Sequence, residues 1–130
     1  GVAAVQMDAV SQLKKMGCET FTCAMAKDGP AADLSDHFNL INILDEELAT
    51  FIVDNKIDVV YSTGSDLAMP VACRLSERLG LPHFVSSYAA NVCNHKNLMR
   101  ERLTLNVEGN IPFQVLDSID KIAIQYPAIL

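Results

Sequence analysis

The feature that most constrains this chain is an alternation running through its first 90 residues. Helix-periodic stretches take turns with short β-forming runs. Val2, Val5, Ala9, Leu13 and Met16 fall at intervals of three and four, which places them on one helical stripe. Lys14 and Lys15 close that stretch and Gly17 follows, a helix C-terminus signature. Thr20 to Met25 alternates polar and apolar side chains, as a half-buried strand does. Asp28-Gly29-Pro30 is turn chemistry, and Phe38 to Ile43 reads as a second strand. Asp45 reads as an N-cap with Glu46 and Glu47 in the first helical turn, where the dipole favours them. Leu48, Phe51 and Ile52 give that helix its buried face. Ile57 to Ser62 is a third strand expectation, followed by the loop Thr63-Gly64-Ser65-Asp66. The next helix runs to about Leu79 with Val71, Ala72, Leu75 and Leu79 inward. Pro70 fits its first turn, where a missing N–H costs little. Gly80 ends it, and Pro82-His83-Phe84-Val85 opens a fourth strand.

Short strands separated by helices imply an α/β fold, a parallel sheet with crossover helices. A helix at the very start implies a strand before it, so the sheet is expected to lack its first strand. Gly1 would then be the last residue of a strand-to-helix turn. The start without methionine and the end inside Pro127-Ala128-Ile129-Leu130 read as those of a piece of a longer protein. The pattern changes near Tyr88 to Asn91, giving two expected domains, 1–90 and 91–130. In the second, Asn91 to Glu108 reads as one long helix carrying Lys96, Arg100 and Arg102, capped by Gly109. A strand around Gln114 to Leu116 is expected next, then a short helix from Ser118 to about Gln125, capped by Ser118 or Asp120. Tyr126-Pro127 breaks it, and Ala128 to Leu130 begins another strand.

Composition removes several function classes. The chain carries 10 basic and 16 acidic residues, a net charge of −6, which argues against general binding of nucleic acid or anionic membrane. No apolar run is long enough to cross a bilayer. Cys18, Cys23, Cys73 and Cys93 form no CxxC pair, and His37, His83 and His95 show no metal-ligand spacing to them. With no secretory signal legible, a reduced, cytoplasmic protein is expected. His83 reads as a strand-edge packing residue and His37 as a loop residue, and no nucleophile–histidine arrangement is legible.

The segment Asn94-His95-Lys96-Asn97-Leu98-Met99-Arg100-Glu101-Arg102-Leu103 resembles the Asp-Lys…Arg…Leu helix that opens the ATP-grasp domain. Gly109, Ile111-Pro112-Phe113, Asp117-Ser118-Ile119-Asp120 and Tyr126-Pro127-Ala128-Ile129-Leu130 follow in that superfamily's order. Upstream, Gly1-Val2-Ala3, Ala32-Asp33 with Asp36-His37, Ile57-Asp58-Val59-Val60, Ser65-Asp66 and Leu79-Gly80-Leu81-Pro82 resemble a pre-ATP-grasp domain. The layout is that of carbamoyl-phosphate-synthase-like and biotin-carboxylase-like enzymes. His95 stands where the family usually has Asp, and Phe113 where proline is common.

The resemblance implies residues 1–90 as a pre-ATP-grasp domain, a Rossmann-like three-layer parallel sheet lacking its first strand, and 91–130 as the truncated start of the nucleotide-binding domain. It implies an ATP- and Mg²⁺-using ligase that makes an acyl phosphate from a small carboxylate for attack by an amine. Lys96 would contact the nucleotide phosphates with Arg100 on the same face. A lysine in a helix's first turn opposes the dipole, which fits an anion nearby. Gly1, Ser65, Asp66 and Ser86 are candidates for the acid-substrate side, against ordinary turn and capping roles. The resemblance places no catalytic residue in this segment and the metal ligands beyond Leu130. The 130 residues alone are therefore expected to be inactive, with a homodimer left open. Two rivals are a Rossmann-type dinucleotide-binding module and a non-enzymatic flavodoxin-like binding domain. The first expects a G-x-G-x-x-G in the missing upstream strand and a carboxylate ending the strand from Thr20 to Met25, where none occurs before Asp28.

Overall fold

A computed structural model describes residues 1–44, 46–104, 106–121 and 123. It divides into two compact units, Gly1–Ala90 and Asn91–Leu130.

In the first unit a 3-10 turn, Ala4–Gln6, leads into helix α1, Met7–Lys15. At its end the Cys18 N–H reaches the Leu13 carbonyl and the Gly17 N–H the Lys14 carbonyl, a Schellman closure. Strand β1 is Phe21–Ala24 and strand β2 is His37–Leu40, paired parallel with Phe21 opposite His37. Parallel neighbours need a crossover. Here it contains helix α2, Pro30–Leu34, with Pro30 in its first turn. The turn expected from Asp28-Gly29-Pro30 thus runs on into a helix, with Pro30 pre-set for its first turn. The start of the pair is tied by one carboxylate: Asp36 accepts from the Thr20 backbone N–H at 2.9 Å, from Thr20 Oγ1 at 2.7 Å and from Lys14 Nζ at 2.7 Å. Lys14 and the two Thr20 donors hold the Asp36 carboxyl far below the usual carboxylate range.

Helix α3, Glu47–Asp54, and helix α4, Ala68–Leu79, carry the core. Leu48, Ala49 and Ile52 pack with Val71, Leu75 and Ile41, and Cys23, Phe51, Ile57 and Val60 close around them. The inward faces expected of both helices are thus the faces that pack. The expected cap at Asp45 lies outside the described residues.

The α/β class with a parallel sheet holds, but its expected extent does not. Residues 57–62 and 82–85 form no ladder among the described residues, nor do 114–116. Propensity favours extended chain, whereas a ladder needs a second backbone alongside. Ile57 and Val60 still pack on the core. The stripe on α1 also differs from expectation: Val10 is buried, while Met16 is 75% exposed and Val5 55%. His83 is exposed and outside any strand, and His37 opens β2, stacked on Phe21 at 4.4 Å.

Helix α5, Ser87–Asn94, and helix α6, Lys96–Leu103, replace the single helix expected over 91–108. The break is His95, whose backbone is extended (φ −109°, ψ 103°) while its Nδ1 bonds back to the Asn91 carbonyl at 2.9 Å. A 3-10 turn, Ile119–Lys121, stands where a short helix was expected, with Ser118 Oγ accepting from the Asp120 N–H. The expected break at Tyr126-Pro127 and strand at Ala128–Leu130 lie outside the described residues.

Candidate functional site

In the first unit the N-terminal turn is wedged between two loops. One follows β1, and the other follows residues 57–62. On the first side the Val2 carbonyl accepts the Ala31 N–H at 3.0 Å. A side chain at Gly29 would bring its Cβ within 2.1 Å of that same oxygen. On the second side Gln6 Nε2 donates to the Thr63 carbonyl at 2.8 Å. A Cβ at Gly64 would come within 2.5 Å of Val5 Cγ2. Glycine therefore permits close approach on both flanks, to the Val2 backbone at Gly29 and to the Val5 side chain at Gly64. The first of these loops lies outside the carboxyl end of β1, where open α/β sheets bind ligands.

The substrate-side candidates are placed unequally. Gly1 lies against Gln6, its constructed Cβ 3.4 Å from Gln6 Oε1. Thr63, held by Gln6, leads directly into Ser65 and Asp66, so one side chain links Gly1 to that loop. Ser65 itself caps α4: its Oγ accepts the Ala68 N–H at 3.3 Å and its carbonyl the Met69 N–H at 3.1 Å. Asp66 is exposed beside it. Ser86 caps α5 in the same way, with Oγ accepting the Ala89 N–H at 3.1 Å. None of its described contacts joins the Gly1–Gln6–Thr63 seam. Next to Ser86, the Ser87 N–H and hydroxyl both donate to Glu77, which holds that carboxyl below its ordinary value. Gln6 was not singled out in the sequence. Its one signal is an amide beside the apolar stripe in the first turn.

In the second unit Lys96 begins α6, whose N-terminus carries no side-chain cap. Lys96 is exposed, and no hydrogen bond or ion pair engages its Nζ among the described residues. Among the described residues, N–H groups and a cation without a partner therefore share one helix end. Arg100 is differently occupied. Its Nη1 donates to Asn110 Oδ1 at 3.3 Å, while Asn110 Nδ2 donates to the Arg100 and Thr104 carbonyls at 3.1 and 2.7 Å. That exchange closes the C-terminal end of α6.

Two grooves mark the first unit. One, of about 320 Å³, runs along residues 59–62 and 82–84 against α4 and is lined by Tyr61, Cys73, Ser76 and Phe84 among others. The other, of about 350 Å³, lies between the exposed α1 stripe and Tyr61 with Thr63. Neither takes in Gly1, Ser65, Asp66 or Ser86. Among the described residues no group of three or more His, Cys, Asp or Glu could hold a metal ion. No described helix is long and apolar enough to cross a membrane.

No family profile matches the sequence, and no curated protein matches it. The structure is similar to phosphoribosylglycinamide synthetase from Anaerococcus prevotii. The TM-score is 0.69 at 19% identity, over 79% of this chain and 26% of that one. At that identity the likeness is one of fold. This chain spans about a quarter of its neighbour's length.

Proposed function

We propose that this chain is part of an ATP-dependent ligase that activates a small carboxylate for attack by an amine or similar nucleophile. Residues 1–90 would supply the acid-substrate side as a pre-ATP-grasp domain. Residues 91–130 would begin the nucleotide-binding domain and supply one phosphate contact through Lys96. The fold likeness to a synthetase supports the class. The observation that carries the reading is the start of α6, where an exposed lysine without a described partner stands at an uncapped helix N-terminus. That pairing suits a phosphate, because amide N–H groups and an ammonium both favour an anion.

Arg100 plays a lesser part, since Asn110 already takes one of its donors. When bound, Mg²⁺ supplies charge neutralisation for phosphoryl transfer. By the resemblance, its ligands are proposed to lie beyond Leu130. This stretch alone is therefore expected to have no ligase activity, and its setting is proposed as the reducing cytoplasm.

The test is ATP affinity of the full-length protein and its Lys96→Ala variant. Loss of one charge-assisted contact, about 1.5–3 kcal/mol, predicts affinity weaker by about 10- to 150-fold. Equal affinity would remove Lys96 from the site. ATP turnover by residues 1–130 alone would contradict the division of labour.

A further inference from the structure

We infer that Gln6 is a positioning residue for the loop Thr63–Asp66, holding it against the N-terminal turn and so fixing where Ser65 and Asp66 stand. The inference rests on the ligase reading for what the loop serves, but not for the clamp itself. Three observations meet on this side chain. Its Nε2 faces the Thr63 carbonyl at 2.8 Å, and a carbonyl only accepts, so the amide's orientation is settled by chemistry. Gly64 follows immediately, with Val5 Cγ2 2.5 Å from where a Cβ would be, so the loop is pressed onto the same turn that carries Gln6. Gln6 Oε1 is enclosed and has no donor among the described residues.

The third observation separates positioning from plain stabilisation. A buried acceptor without a donor weakens the folded state, whereas the Nε2 bond strengthens it. Replacing the amide by an apolar side chain of similar size removes both effects together, and the Thr63 carbonyl turns to water as the loop opens. Gln6→Leu should therefore leave global stability nearly unchanged while releasing the loop. Gln6→Glu keeps the shape and the acceptor but cannot donate to Thr63 when ionised. Two oxygens then face each other, and the loop is pushed off. Acidification restores an O–H donor to Glu, and with it the clamp, a rescue not open to leucine.

The experiment uses the full-length protein. Amide hydrogen exchange at Gly64, Ser65 and Asp66 is expected to rise at least fivefold in Gln6→Leu, with the melting temperature within about 2 °C of wild type, a shift small on the scale of 1 kcal/mol. In Gln6→Glu the same rise, taken relative to wild type at each pH, should reverse as pH falls through the carboxylate range. ATP-dependent turnover is then measured with acetate, glycine and succinate as carboxylate probes. KM for the carboxylate should rise at least fivefold in Gln6→Leu, with KM for ATP within twofold. Unchanged exchange at residues 64–66 overturns the clamp. Equal rises in both KM values overturn its role in placing the acid side. If wild type turns over none of the probes, the ligase reading fails for them, and exchange alone decides the clamp.

Discussion

Gly29→Ala tests the packing of the N-terminal turn most directly. The backbone at Gly29 (φ −111°, ψ 148°) is extended and open to any residue, so the penalty is steric. The added methyl would sit 2.1 Å from the Val2 oxygen, 2.5 Å from its carbonyl carbon and 2.9 Å from Val2 Cγ2. Ordinary contact begins at 3.4 Å, so Val2 must retreat by more than 1 Å. Val2 is 6% exposed and Ala31, whose N–H it accepts, is fully buried. Retreat breaks that bond and leaves a buried donor unpaired, about 1–3 kcal/mol. Repacking Val2 costs about 1–3 kcal/mol more. A total loss of about 2–6 kcal/mol should lower the melting temperature by about 8 °C or more. Urea unfolding and a thermal melt followed by circular dichroism would measure it. A loss below about 1 kcal/mol would refute the reasoning, since the mildest of the two costs is already that large. Rescue by a second change, Val2→Ala, would refute it too, because truncation leaves the offending backbone oxygen in place.

Other outcomes follow from the same structure. Leu75→Ala, at a site 4% exposed in the core, should cost about 2–5 kcal/mol in urea unfolding. Asp36 has its folded pKa below its unfolded one. Its stabilisation is therefore complete above the ordinary carboxylate range and is lost as pH falls through the folded value, below that range. Asp36→Asn keeps an acceptor for Thr20 but loses the charge facing Lys14. It should flatten the acid limb of a stability–pH curve, and an unchanged limb would assign that limb to Glu46 and Glu77, also held low. Asn110→Ala removes the donor to the Arg100 and Thr104 carbonyls, so exchange at the Thr104 amide should quicken while the start of α6 keeps its protection. Uniform change along α6 would contradict a local C-terminal closure.

Much of the local structure was legible in the residues themselves. Spacing of three and four located α1, α3 and α4 and the inward faces of α3 and α4, because helix period and burial are both local properties of side-chain order. The glycines after α1 and α4 marked their ends for the same reason. Of the site, the residue types were legible but their engagement was not. Ser65 and Ser86 turned out to be helix caps, and Arg100 turned out to be bound to Asn110 ten positions away.

Everything that needs two distant segments at once was settled by packing. Residues 57–62 have the composition of a strand, yet a ladder depends on a backbone neighbour that composition cannot supply. The α1 stripe has the period of a buried face, yet burial of Val5 and Met16 depends on what lies opposite, and there the structure shows a groove. Gln6 is one polar letter among apolar ones until Thr63, 57 positions later, presents its carbonyl. Sequence order determines which faces and donors exist, because those are covalent facts. Which of them meet is decided by packing, because a hydrogen bond requires its partner within about 3 Å however far apart the two lie along the chain.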